Sequence, residues 1–596
     1  MSFRVDRRSE WTVILAAVLI YGGCMLSPPS LMDDVDAVQA QIARNMLESG
    51  DWVTARLNGV AYLEKAPLKY WMIAASYALF GVSDMAARLP LVLSAIVLCW
   101  LVARMGAWAL SPRAGLYAGL ALATCAGLFL FTRILIPDAV LTLAITCSLW
   151  AFLRALEEDS RLWAYLFWAC MGAGFLLKGM VAMAFPLAAA LLYLLVARKL
   201  ADRAVWRRLR PVGGPAIALL IASPWVLLAT LRNPPYFDFT MRSAAGEYHG
   251  FFWFFFLNEH LFRFLNMRHP RDYNTVPRLY FWLFHLLWLF PWSAFFPAIL
   301  KDTFAAADRA ARMRLLALCW TGFILIFFTF STTQEYYSMP CYPALALLLG
   351  SALDREGRWL PWGSRLLSLV CALAAVVTAW IWWTVRGLPA PGDISRALTL
   401  NPDSYTLSLG HMRDLTLPAF AYLRAPLLLA ALAMAVGAAG AWRWRGWRTV
   451  AALVAMMVLF THAARLAMVT FDPYLSSRPL AEALRRAPRG EVVFDNQYYT
   501  FSSVFFYAGT RGWLLNGRVN NLEYGSYAPS APDVFLDDAG FAQRWKTDRL
   551  HYLLIEGPSR PRVEKLVGKD TLHLVAESGG KFLFANRPVS LAAEGG

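Results

Sequence analysis

The chain has 596 residues, of which 58% are hydrophobic and only 16% charged. That balance excludes a soluble globular protein, because too much apolar area would face water. The formal net charge of +16 does not mark a nucleic-acid binder, since the basic residues are spread over loops between apolar runs. Cys24, Cys99, Cys125, Cys147, Cys170, Cys319, Cys341 and Cys371 lie in or beside those runs without CxxC spacing, which argues against a disulfide framework or a thiolate metal site.

Apolar stretches predict about thirteen membrane-spanning helices, centred near residues 20, 98, 123, 147, 169, 188, 222, 288, 322, 345, 373, 432 and 459. The basic and then apolar N-terminus resembles a signal peptide, but no small-residue cleavage site follows, so it reads as a retained first helix. Arg4, Arg7 and Arg8 precede that helix; Arg198, Lys199, Arg203, Arg207, Arg208 and Arg210 follow the sixth run. Lys301, Arg309, Arg312 and Arg314 follow the eighth, and Arg443, Arg445 and Arg448 separate the last two. With that span count these loops all share one side, cytoplasmic by the positive-inside rule. The opposite side, periplasmic in a bacterial inner membrane, receives loop 29–88, the Arg133–Asp138 turn, loop 233–276, the Ser331–Ser338 turn, loop 386–424 and the C-terminal region. The chain therefore divides into a membrane domain, 1–471, and a water-soluble domain, 472–596.

Within loop 29–88, Val35, Val38, Ile42 and Met46 recur at helical spacing over 35–47, and residues 66–80 predict a second short helix, too polar at Lys69 to span. Residues 250–266 carry an aromatic strip, Phe251 to Leu257 onward, suited to the headgroup level. In the soluble domain, helices are predicted at Pro479–Arg486, Ser502–Tyr507 and Gly540–Trp545. Strands are predicted at Glu491–Phe494 and Tyr552–Ile555, with a further short element at Trp513–Leu515. That alternation gives a small α/β domain with an accessory role.

Polar groups crowd the outer side. Asp33, Asp34 and Asp36 follow the first run, where apolar surroundings make carboxylates costly to ionise. Tyr62, Glu64 and Lys65 lie in the same loop; Arg133 and Asp138 flank the third and fourth runs, and Lys178 closes the fifth. Glu259, His260 and Arg263 lie in the fourth outer loop, and Gln334, Glu335, Tyr336 and Tyr337 in a later turn. Arg268 and Arg271 read more simply as side chains reaching for water, and His269 as structural or solvated. Cations beside carboxylates and tyrosines at the headgroup plane suit a lipid-linked phosphate: Lys65, Arg263, Lys178 and Arg133 would hold it, and carboxylates would orient or deprotonate an acceptor. A transporter would instead scatter polar groups through the middle of its spans, and no internal repeat is evident.

Asn45–Trp52, Tyr62–Trp71, Ala87-Arg88-Leu89-Pro90, Leu177-Lys178-Gly179 and Asn258-Glu259-His260 with Arg263 and Phe264 together resemble the GT-C membrane glycosyltransferases. Within them the likeness is to the bacterial lipid A aminoarabinose transferase branch, and it runs through roughly the first 350 residues. The resemblance implies a polytopic GT-C fold with a periplasmic C-terminal domain. It also implies transfer of 4-amino-4-deoxy-L-arabinose from undecaprenyl phosphate to lipid A phosphate, which lessens attraction for polymyxin and other cationic peptides. By the same resemblance Asp34 is the first-loop acid with Asp33 beside it, Asp138 a second carboxylate and Lys65 a phosphate ligand. Glu64 and His260 are implied as donors to a divalent metal ion of open identity, and no organic cofactor is implied. The register departs at one point: aligning Ile42–Met46 places the family's acidic pair at Val35-Asp36, so Asp36 stands as an alternative to Asp34. The other enzyme reading is another polyprenyl-phosphate-sugar-dependent glycosyltransferase, such as a protein O-mannosyltransferase, which must deprotonate a hydroxyl, or a different lipid A glycosyltransferase.

Overall fold

The computed structural model describes residues 7–270, 275–355, 357–399 and 409–592. Arg4 and Arg271 lie outside the described residues. Every predicted apolar run forms helix, because a chain in lipid can satisfy its backbone N–H and C=O groups only internally. Among the described residues, seven helices are long and apolar enough to cross a membrane, or nine if each bent pair counts once. The bent pairs are Pro112–Ala123 with Ala126–Thr132, at 49°, and Arg278–Trp288 with Trp292–Ile299, at 95°. The predicted thirteen is thus not reached by length and composition. The first, sixth and tenth runs form helices of 15, 16 and 13 residues, Arg7–Tyr21, Val181–Val196 and Tyr342–Asp354. The fifth, Arg161–Lys178, carries a charge at each end. The chain is a multi-pass membrane protein.

Helix boundaries follow local chemistry. The Ser83, Ser111 and Asp308 side chains accept N–H groups at the starts of Asp84–Ala109, Pro112–Ala123 and Arg309–Phe330. Helix Asp138–Glu158 has 21 residues, about 31 Å at 1.5 Å per residue, enough to separate two membrane faces. The helix around the predicted 471/472 boundary runs from Trp447 to Leu475, so the membrane domain's last helix reaches into the segment assigned to the soluble domain.

Loop 29–88 holds the two predicted helices, Val35–Ser49 and Leu68–Phe80, and a small antiparallel pair, β1 (Arg56–Leu57) and β2 (Val60–Ala61). The C-terminal domain is a six-stranded sheet of β3 (Glu491–Asp495), β4 (Trp513–Leu515), β5 (Phe535–Leu536), β6 (His551–Glu556), β7 (His573–Ser578) and β8 (Lys581–Ala585). Their order is β5-β4-β3-β6-β8-β7, with the first four parallel and the last two antiparallel to their neighbours. The β7–β8 hairpin, absent from the sequence expectation, turns on Gly579 and Gly580, both at positive φ as a type I′ turn requires. Alternation sends Val493, Leu515, Leu553 and Phe584 to one face, under Phe541, Trp545 and Val563. Val492, Phe494, Leu514 and Tyr552 face the other way and share one core with Val38, Ile42, Met46, Tyr70 and Tyr77 of the first loop. The C-terminal domain is therefore docked on the first loop by a common apolar core.

The aromatic strip differs from expectation. Trp253–Phe262 is a π-helix whose Trp253, Phe254, Phe255 and Phe262 are buried against Trp225, Phe175 and Tyr524. Most of its rings pack inward, while Phe256 and, just outside the π-helix, Phe252 are half-buried and Phe264 is exposed.

Candidate active site

A cavity of about 480 Å³ opens where the first loop, the starts of helices Asp138–Glu158 and Val181–Val196, the π-helix, the Glu335–Cys341 turn and the C-terminal domain meet. Asp34, Tyr62, Glu64, Lys65, Asp138, Lys178, His260, Arg263, Tyr336 and Tyr337 all line it. Phe185, Phe264, Phe327 and Phe328 supply an apolar wall.

Only one of the three first-loop aspartates reaches this space. Asp34 sits at the N-terminus of helix Val35–Ser49 with φ +71°, a sparsely populated conformation for a residue with a Cβ. Its N–H donates to the Tyr499 carbonyl at 2.9 Å, and its own carbonyl accepts from the Ser502 hydroxyl at 3.3 Å. The C-terminal domain thus fixes the strained backbone, while the carboxylate has no partner among the described residues. Asp34 is exposed to the cavity, yet its enclosure within the protein, then the like charges of Asp36 and Asp33, push its pKa up to about 6, Lys581 opposing. Asp36 lies two residues on, about 200° around the helix. It is buried and accepts the Leu135 N–H at 2.8 Å. Asp33 pairs with Lys581 at 2.8 Å and accepts from Ser477 and the Ser503 N–H, tying loop to domain. Arg133 donates to the Leu130 carbonyl and does not line the cavity. Asp33, Asp36 and Arg133, expected at the site, therefore do not line this cavity.

Across the cavity Asp138 pairs with Lys178 at 2.6 Å, and the ammonium lies 4.5 Å from the Tyr337 ring centroid and 5.3 Å from that of Tyr336. Lys178 ends its helix at Gly179, φ +70°, where a Cβ would meet the His260 ring at 2.1 Å. A glycine is required there on both counts. His260 fills the notch: its Nε2 accepts the Met180 N–H at 3.0 Å and its Nδ1 donates to the Phe255 carbonyl at 2.5 Å. Burial lowers its pKa, holding it neutral. Both ring nitrogens are engaged, so His260 is a latch and does not fit as a metal ligand.

The neighbouring residues of that motif have separate tasks. The Asn258 amide exchanges two hydrogen bonds with the His269 backbone. Glu259 accepts from Arg263 at 2.8 Å and from Arg268, while Lys65 lies at 3.6 Å. Burial alone would raise its pKa, but Arg268, Lys65 and Arg263 outweigh that and hold it well below the usual carboxylate range. Arg263 also donates to the Tyr337 hydroxyl at 2.9 Å. Glu64 receives Arg268 at 3.1 Å, Asn521 at 2.7 Å, Tyr62 at 3.1 Å and Lys65 at 3.4 Å. Its oxygens are thus taken by cations and N–H or O–H donors, and the implied pairing of Glu64 with His260 around a metal ion does not form. Among the described residues no cluster of three metal-donor side chains occurs.

Several lining residues escaped sequence reasoning. Lys69 donates to Gln39 and to the Leu135 carbonyl, and burial lowers its pKa well below that of an exposed lysine. Tyr499 donates to the Tyr62 hydroxyl at 3.1 Å, extending the chain to Glu64. With Asn521 it brings the C-terminal domain into the cavity, so that domain is more than an accessory. Arg268, expected to reach water, is only 1% exposed.

A membrane bundle with juxtamembrane helices in its first loop, charged groups gathered at one end and a docked C-terminal domain has the GT-C fold. The dolichyl-phosphate-mannose-protein mannosyltransferase family model matches residues 64–228. The undecaprenyl phosphate-alpha-4-amino-4-deoxy-L-arabinose arabinosyl transferase of Pseudomonas aeruginosa (strain UCBPP-PA14) is 33% identical over 59% of this chain and 61% of its own length. The protein of that name from Aeromonas salmonicida (strain A449) is 28% identical over 66% of this chain and 74% of its own. The match thus spans less than two thirds of the Pseudomonas relative. The crystal structure of ArnT from Cupriavidus metallidurans bound to undecaprenyl phosphate superposes with a TM-score of 0.78 at 25% identity, covering 98% of this chain and 99% of that one.

Proposed function

We propose that this protein transfers 4-amino-4-deoxy-L-arabinose from undecaprenyl phosphate to a phosphate of lipid A, at the periplasmic face of the bacterial inner membrane. The N-terminus is then cytoplasmic and the C-terminal domain periplasmic. The observation that carries this reading is the cavity itself: Lys65, Arg263 and Lys178 on polar walls, a phenylalanine wall beside them, and unpartnered Asp34 between. The likeness to a structure holding undecaprenyl phosphate supports the choice of carrier.

In the reaction the bond from sugar C1 to the carrier phosphate breaks and a bond from C1 to an acceptor phosphate oxygen forms. The leaving carrier phosphate is an anion, and positioned cations stabilise developing negative charge more than a proton donor would. Lys65 and Arg263, which line the cavity, would supply this charge, with Lys178 held by Asp138. A lipid phosphate acceptor is already ionised near neutral pH, so Asp34 acts by orienting it or by pairing with the sugar's amino group. The same upward shift of Asp34 would suit a general base for a hydroxyl acceptor, which favours the protein O-mannosyltransferase reading as the second choice. Mass spectrometry of lipid A from cells with and without the gene, under conditions where the donor is made, separates the two. Added aminoarabinose mass on lipid A is expected, and its absence would remove the proposal.

A further inference from the structure

Two carboxylates buried side by side cannot both stay ionised without cations between them. Glu64, on the first loop, and Glu259, on the π-helix, are such a pair, with side chains 2% and 4% exposed. The guanidinium of Arg268 lies between them: its Nε donates to Glu259 Oε1, and its Nη2 to Glu64 Oε1 at 3.1 Å. Its Nη1 donates to the Pro270 carbonyl at 2.6 Å, and the Phe254 ring lies beside it at 5.9 Å. Lys65 spans the other two oxygens, 3.4 Å from Glu64 Oε2 and 3.6 Å from Glu259 Oε2.

We propose that Arg268 is a positioning residue that takes, as a built-in cation, the place a divalent metal ion would take between Glu64 and Glu259. Carrier-phosphate binding at the adjoining cavity is then independent of metal. The inference rests on the reading of that cavity as a carrier-phosphate site. Arg268 neutralises the shared inner edge of the two carboxylates, so Lys65 need not be drawn fully into the pair. Its separations are longer than ordinary hydrogen bonds, and its side chain is 31% exposed at the cavity, so its ammonium protons can turn to a phosphate oxygen. A guanidinium serves here where lysine would not, because its planar fork reaches both carboxylates at once.

The test measures binding of undecaprenyl phosphate to the full-length protein in detergent, with and without EDTA and with millimolar manganese chloride. Wild type is expected to bind equally in all three conditions. Arg268→Met is expected to lose about tenfold or more in affinity, and manganese is expected to restore much of it, since the two carboxylates are then open as ligands. Loss of wild-type binding on chelation, an unchanged affinity in Arg268→Met, or no restoration by manganese would each overturn the inference. If Arg268→Met is not recovered folded, Arg268→Lys replaces it: binding weakened several-fold supports the inference, and wild-type affinity overturns it. A wild-type protein that binds no undecaprenyl phosphate under any condition removes the site reading and this inference together, whereas the other failures leave the site reading intact.

Discussion

Helix Asp138–Glu158 carries an ion cluster at each end, and the two clusters are built differently. At its C-terminal end Glu157 pairs with Arg312 at 2.6 Å and lies 3.8 Å from Arg309, while Arg154 pairs with Glu158 and lies over Trp163. Every charge in that set has an opposite neighbour on a helix end, and none of them lines the cavity at the other end of the helix. At the N-terminal end Asp138 and Lys178 also pair, but across the cavity they line Asp34 stands unpartnered among the described residues on a strained backbone. Both ends look alike as charge patterns at a membrane edge. What separates them is a carboxylate with no ion-pair partner among the described residues, held at a cavity on strained backbone, and such groups mark sites that act.

The sharpest way to break this contrast is Asp34→Asn, which keeps a residue tolerant of positive φ but removes the charge. Transfer measured in membranes is expected to fall about 100-fold or more, with the protein still inserted and folded. Near-normal transfer in Asp34→Asn would move the site's carboxylate function elsewhere. Gly179→Ala tests the latch that sets Lys178, since it forces a Cβ into the His260 ring at a positive-φ position. A thermal-unfolding assay should show a loss of about 1–3 kcal/mol, with transfer reduced alongside.

Lys65→Ala is expected to weaken donor use by about 10- to 100-fold, read from rates at low donor concentration. A pH–rate profile gives a milder test. In the proposed reaction Asp34 acts in its ionised form; its pKa is raised to about 6, and so the rate should drop as pH falls through about 6 and level off above it. A profile flat from pH 5 to 8 would contradict that. The smallest effect is expected from Glu157→Gln at the far end: transfer within about twofold of wild type and a stability loss of about 1 kcal/mol or less.

The sequence alone determined the elements that follow from local periodicity and composition. Long apolar runs become helices because lipid leaves no other choice, and Val38, Ile42 and Met46 line one face of a helix. Short continuous apolar runs in Glu491–Asp495 and His551–Glu556 likewise made strands, buried on both faces. The charge clusters of the outer loops were also legible, including Lys65, Asp138, Lys178 and Arg263. Tertiary structure decided which of them meet. Asp33, Asp34 and Asp36 are indistinguishable as a string of acids. Helical rotation and the docked C-terminal domain send one to Lys581, one to the Leu135 amide and one to the cavity. Arg268 and His260 carried the same ambiguity, since a basic side chain near a membrane can reach for water or be buried by a partner far along the chain. Tyr499 and Asn521 sit more than 430 residues from Tyr62 and Glu64, their partners, and no local pattern encodes such pairs. They form because a shared apolar core brings the first loop and the last domain together, and long-range burial is a property of the folded surface rather than of any segment.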